Sequence, residues 1–246
     1  MNNNKGIVFG TRPVLEVIKS EKEIEKIFIQ KNTKRDILFS IISLCKKKNV
    51  NMSFVPKEKL NRITKKNHQG VICYISQIVY QPIDRIIQSC FEKGKEPLIL
   101  ILDRITDIRN FGAITRAGDC LGVDAIIIPS TGSALISSDA FKTSSGALHH
   151  VPICKEKNLI NTIRYLKNSG LKIVCCTEKS DKEIYMCNYK IPTAIILGSE
   201  ENGISSDLLK LSDEKVKIPM LGKLESLNVS SSASVVLYEA VRQRLN

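Results

Sequence analysis

The chain has 246 residues, of which 43% are hydrophobic and 25% charged, and a formal net charge of +12 at pH 7. That length holds one large or two modest domains with buried cores, and the composition excludes disordered, fibrous and membrane-embedded classes. The longest apolar runs, such as Leu98–Leu102, are far too short to span a bilayer, and the opening MNNNKGIVFG lacks the basic stretch and apolar core of a signal peptide. A cytoplasmic protein is expected.

The first α/β alternation starts with a helix at Pro13, a residue suited to an opening turn. A short strand is expected at Lys26–Gln30, and Thr33 is positioned to cap a helix running to about Lys48. A strand at Asn51–Val55, a short helix opened by Pro56 and a strand at Gly70–Ile75 complete a small sheet flanked by helices. A connector over 76–96 includes a helix after Pro82. From Leu98 a second alternation begins, with strands expected at LILILD, DAIIIP (Asp124–Pro129), KIVCCT (Lys172–Thr177), AIILG (Ala194–Gly198) and VKIP (Val216–Pro219). These runs lack polar alternation, as parallel strands covered on both faces do. Helices are expected near 111–121, 158–168, 205–211 and 227–244.

Charge follows this division. Met1–Lys95 carries 19 Lys and Arg against 8 Asp and Glu, whereas the remainder carries 18 against 17. A basic amino-terminal part suits a polyanion, although runs such as Lys46–Lys48 equally suit a solvated face. The eight cysteines show no CxxC spacing, and His68, His149 and His150 are the only histidines. No metal site is expected, and most of the thiols read as small buried hydrophobes.

Ligands of open parallel sheets bind beyond the carboxyl ends of the strands. No GxGxxG follows a strand there, which speaks against a dinucleotide. GSEENGIS (Gly198–Ser205) has P-loop-like glycine spacing but no lysine after Gly203. Its Glu200 and Glu201 would repel phosphate, so a nucleoside triphosphatase is excluded as well. Glycines with carboxylates suit a cationic or hydroxyl-bearing ligand.

Two further segments carry polar residues to the same end of the sheet. In LDRITDIRNFGAITRAGDCLG (Leu102–Gly122), Asn110 stands where a helix would be capped and Arg116 reaches out from it, while Ala113, Ala117 and Leu121 share a packing face. In IPMLGKLESLNVSSSASVVLYEAVRQR (Ile218–Arg244), Ser226 and Asn228 open a long helix. Its small residues, Ser230–Ser234, admit close backbone approach, and Val229, Val236 and Val241 offer apolar surface for packing or a dimer contact.

These three segments, in this order, resemble the signature motifs of the SpoU/TrmH branch of the SPOUT methyltransferases. The stretches GTRPVLEVI and NHQGVICY make the first part similar to the RNA-binding domain of RlmB-type ribosomal RNA 2′-O-methyltransferases. The resemblance implies an α/β chain with a small basic RNA-binding domain over 1–75, then a parallel-sheet SPOUT domain over 97–246 with a carboxyl-terminal trefoil knot, an exception among folds. It implies S-adenosylmethionine as cofactor, held by Gly198, Ile218, Met220 and Leu227. The catalytic or substrate-orienting positions would be Asn110, Arg116, Glu200, Ser226 and Asn228. It further implies a homodimer acting on a guanosine of 23S ribosomal RNA, with tRNA as the alternative substrate and a non-catalytic RNA-binding assembly factor as a third reading.

The residue types agree with that chemistry. A ribose hydroxyl is a poor nucleophile, so its displacement at a sulfonium needs positioning and stabilisation of developing oxygen charge. Arg116 can supply the latter or hold a phosphate bidentately, but a guanidinium resists acting as a base. Asn110 and Asn228 can orient the ribose, and Glu200 can fix Arg116 or accept a hydrogen bond. The general base is left unassigned.

Overall fold

The computed structural model describes residues 6–20, 22–32 and 36–245, apart from the Ile37 side chain, so the cap expected at Thr33 lies outside the described residues. The chain divides into two compact units, Met1–Val79 with Leu135–Ser138, and Tyr80–Ala134 with Asp139–Asn246. Among the described residues no helix is long and apolar enough to cross a membrane.

In the first unit, strands β1 (Ile7–Phe9), β2 (Ile24–Gln30), β3 (Met52–Val55) and β4 (Val71–Ile75) form a sheet of order β1-β4-β2-β3. β4 runs antiparallel to β1 and β2, and β3 parallel to β2. Side-chain alternation sends Ile27, Ile29, Val71 and Cys73 to one face. There they pack with Val14 and Ile18 of α1 (Thr11–Lys19) and with Leu38, Ile41 and Cys45 of α2 (Asp36–Lys47). The opposite face buries Phe28, Val55 and Ile72 with Leu60 of α3 (Lys57–Ile63). Pro13 is the third residue of α1, not its first, because the Gln69 side chain already accepts the Thr11 amide two residues earlier (3.0 Å). The unit's cations crowd its aromatic face, with Lys26 and Lys59 at 5.4 and 5.1 Å from the Phe28 ring centroid and Lys66 at 5.8 Å from that of Phe9.

The second unit opens with α4 (Ile83–Glu92), preceded by Pro82 at its N-cap. Its sheet comprises β5 (Leu98–Asp103), β6 (Ala125–Pro129), β7 (Ile153–Glu156), β8 (Lys172–Cys176), β9 (Thr193–Gly198) and β10 (Glu214–Val216), all parallel, in the order β10-β8-β9-β5-β6-β7. All six residues of β5 are buried, as its central position and uninterrupted apolar sequence require. One face packs Ile99, Ile101, Ile127, Ile173 and Ile196 against Ile163 and Leu166 of α7 (Leu159–Asn168) and Leu208 of α8 (Ser206–Leu211). Elsewhere in this unit α5 (Ile108–Cys120) packs against α9 (Val229–Leu245), which also reaches β9.

Several expectations shift here. The expected strand VKIP is displaced towards the amino terminus: β10 ends at Val216, Lys217 pairs in an isolated parallel bridge with Glu183, and Ile218 and Pro219 lie beyond the ladder, where a proline could donate no bond. Of the two uses expected for the valines of α9, packing is the one Val229 and Val236 serve, buried in the unit's own core, while Val241 is half-buried. On α5 the deeply buried face is Phe111, Ile114, Thr115 and Gly118, with Ala113 and Ala117 half-buried at its margin. β1, β7 and α6 (Ser138–Thr143) were not anticipated.

Candidate active site

The site lies at the carboxyl ends of β5, β8 and β9. A cavity of about 340 Å³ opens there, lined by Gly198, Ile218, Met220 and Leu227, together with Glu200 and Ser226. Six of the nine residues singled out in the sequence therefore meet at one cavity. Its apolar wall, completed by Leu197, Ile204 and Val229, faces four carboxylates, Glu178, Glu200, Glu201 and Glu225, against the single cation Lys179.

The loop after β9 is shaped by backbone crowding. A Cβ on Gly198 would lie 2.1 Å from the Gly203 carbonyl carbon and 2.3 Å from the Ile204 nitrogen, so only glycine permits this approach. Gly203 adopts φ +61° and returns its N–H to the Ser199 carbonyl at 2.8 Å, closing the loop. Glu200 and Glu201 are left exposed near its tip.

Asn110 and Asn228 join Glu200 from two other elements. Asn110 Nδ2 donates to Glu200 Oε1 at 3.2 Å, and Asn228 Nδ2 donates to Asn110 Oδ1 at 3.1 Å and to Glu200 Oε1. Asn228 also caps α9, its Oδ1 accepting the Ser230 amide at 2.9 Å and the Ser230 hydroxyl at 2.6 Å. Asn110 is not the cap of α5. Asp107 takes that role, accepting from the amides of Arg109 (2.8 Å) and Asn110 (2.9 Å), which leaves the Asn110 side chain free for Glu200. The carboxylate thus fixes two side-chain amides in place, a polar cluster able to orient a hydroxyl-bearing ligand beside the cavity.

Arg116 stands apart. It is exposed on α5, and among the described residues it makes no hydrogen bond or ion pair. Six residues beyond Asn110, it projects from another face of the helix about 9 Å further along. The Glu200–Arg116 pairing considered from sequence is not formed, because Glu200 is engaged by the two asparagines.

Sequence reasoning missed one wall of the cavity, formed by Cys176, Thr177, Glu178 and Lys179. The signal was available, since these residues follow the carboxyl end of β8, where ligands of parallel sheets gather. It also missed Asp103 and Arg104 at the end of β5, described below.

Comparison with known proteins agrees with this geometry. Residues 97–238 match the SpoU rRNA Methylase family, and residues 7–81 match the RNA 2′-O ribose methyltransferase substrate binding domain. The TrmH family tRNA/rRNA methyltransferase YacO of Bacillus subtilis is 30% identical over 244 residues, covering 99% of this chain and 98% of that protein. Two solved folds are similar over nearly the whole chain. The AdoMet-bound rRNA methyltransferase of Sinorhizobium meliloti superposes with a TM-score of 0.63 at 22% identity, covering 98% of this chain and 88% of its own. The SpoU methyltransferase AviRb of Streptomyces viridochromogenes in complex with AdoMet gives 0.61 at 22% identity, covering 97% and 90%. With more than half its length matched by the family and a full-length relative at 30% identity, the chain belongs to the SpoU rRNA methylase family, in the SpoU/TrmH branch of RNA methyltransferases.

Proposed function

We propose that this protein transfers a methyl group from S-adenosylmethionine to the ribose 2′-hydroxyl of a guanosine in 23S ribosomal RNA. The observation that carries the proposal is the Asn110–Glu200–Asn228 cluster at a cavity walled by Gly198, Ile218, Met220 and Leu227. The donor set fits the cofactor. Ile218, Met220 and Leu227 offer an apolar slot for an adenosyl group, and the surrounding carboxylates favour a cation such as a sulfonium. When bound, the cofactor supplies an electrophilic methyl group.

The chain's own residues do the rest. Asn110 and Asn228, held by Glu200, orient the ribose, and Ser226 offers a hydroxyl at the cavity. Arg116, unpaired and exposed, is available to a phosphate or to the charge that develops on the attacking oxygen. The basic first unit, over about residues 1–75, holds the RNA by its lysine-flanked aromatic face. The return from β10 at the sheet edge to α9 against α5 supports the knotted path. Action as a homodimer in the cytoplasm completes the reading. A tRNA substrate is the second reading, favoured by relatives named as tRNA/rRNA methyltransferases.

The experiment is mass-spectrometric mapping of 2′-O-methylation in ribosomal RNA and tRNA from cells with and without the protein, complemented by wild type or Arg116→Ala. Loss of one ribosomal guanosine methyl, restored only by wild type, is the expected result. Loss in tRNA moves the substrate to the second reading. No change in any RNA overturns the enzymatic reading in favour of a binding role.

A further inference from the structure

At the end of β5 the chain does something that its sequence gives no reason to expect. Arg104 adopts φ +59°, a left-handed conformation that a non-glycine residue rarely holds without compensation. The compensation is specific. Its Nε and Nη2 donate to the two oxygens of Asp103 at 3.1 and 3.2 Å, and Nη2 also donates to the Gly203 carbonyl at 3.1 Å. Asp103 is 4% exposed, and its Oδ2 accepts the Ser205 amide at 2.7 Å. Asp103 also stands in register with Gly198, where the loop begins. One buried carboxylate and one guanidinium therefore pin the loop at its start, at Gly203 and at Ser205, on either side of the residues that wall the cavity and present Glu200.

We infer that Arg104 is a positioning residue for the cofactor cavity, holding the 199–203 loop in its closed form by bridging Asp103 and the Gly203 carbonyl. The inference rests on reading that cavity as the cofactor site. Among the described residues the only cavity-lining group to which Arg104 hydrogen-bonds is Gly203, so it acts through the loop. The bridge also neutralises a carboxylate that would otherwise be buried with backbone donors alone.

The test compares wild type with Arg104→Gly and Arg104→Lys. Glycine tolerates φ +59° without steric cost, so Arg104→Gly removes the guanidinium and keeps the backbone. Lysine can restore a single donation to Gly203. S-adenosylhomocysteine binding by titration calorimetry should weaken about tenfold in Arg104→Gly, the loss expected of a charge-assisted hydrogen bond, and recover at least threefold in Arg104→Lys. The melting temperature of Arg104→Gly should fall by several degrees, because Asp103 stays buried without its ion-pair partner, so binding and exchange are measured well below the transition of each variant. Amide exchange over 199–205, measured without ligand, should quicken in Arg104→Gly and slow again in Arg104→Lys. Affinity within twofold of wild type in Arg104→Gly, or unchanged exchange, overturns the inference. If wild type binds no S-adenosylhomocysteine, the cofactor reading of the cavity fails, and the exchange measurement alone decides whether Arg104 holds the loop.

Discussion

Asn228 donates its side-chain amide to Glu200, linking the cap of α9 to the loop after β9 across 28 residues of chain. One side chain thus serves stability and site geometry through different atoms, Oδ1 capping the helix and Nδ2 holding the carboxylate. The two roles can be separated.

Asn228→Asp keeps a cap acceptor but sets a second negative charge against Glu200. We expect a melting temperature close to wild type, because aspartate caps helices as well as asparagine does. Methyl transfer to RNA should fall by at least about tenfold, as misoriented groups at a reacting centre cost that much or more. An Asn228→Asp variant that keeps both stability and turnover, while Asn228→Ala loses both, would mean that the residue is only a cap.

Gly198→Ala places a methyl group 2.1 Å from the Gly203 backbone, which must shift to admit it. The expected cost is about 1–3 kcal/mol in denaturant unfolding, typical of overpacking, together with loss of S-adenosylhomocysteine binding. Gly222→Ala is the control: nothing lies within 4 Å of its Cβ position, and binding and stability should hold. A stable, fully binding Gly198→Ala would show that the loop opens more easily than its packing indicates.

Acid sensitivity has an identifiable source in β10. Burial opposes ionisation of Glu214, yet hydrogen bonds from Lys172 and Lys182 outweigh it and hold the carboxyl at about 2, below its ordinary 4.5. A depressed carboxyl contributes stability above its unfolded pKa and loses it as pH falls through the folded one. Urea titrations of wild type and Glu214→Gln should therefore differ by about 1–3 kcal/mol at pH 7, converging between pH 4.5 and 2. A difference that persists at pH 2 would point to packing instead of charge.

RNA affinity should depend on the first unit's exposed lysines. Replacing Lys65 and Lys66 by glutamine should weaken RNA binding and reduce the slope of log K against log salt by about 1–2, the contribution of two phosphate contacts. S-adenosylhomocysteine binding should not change. An unaltered salt slope would move the RNA contact elsewhere on the chain.

Most strands were legible because burial on both faces writes itself as uninterrupted apolar sequence, as in Leu98–Asp103 and Ala194–Gly198. β1 and β7 escaped because three or four residues, with β7 half polar at a sheet edge, carry no such run. Asn110 was misread as a cap because asparagine and aspartate serve that role equally, and Asp107, three residues earlier, had the better position. The meeting of Asn110, Glu200 and Asn228 spans up to 118 residues and leaves no local pattern, so it was reached through family likeness alone. Arg104 had no signal at all, since a left-handed arginine looks like any other in sequence.

The burial of the thiols gives the protein a chemical handle. Burial pushes Cys45, Cys73, Cys154, Cys175 and Cys176 up to about 11 or 12 and raises Cys90 and Cys187, so these seven resist alkylation at neutral pH. Cys120 alone is exposed, at the last turn of α5 and four residues from Arg116, hence on the same helical face. A maleimide fluorophore would attach there without mutagenesis and, on the proposal that Arg116 meets the RNA, should change its emission when RNA is added.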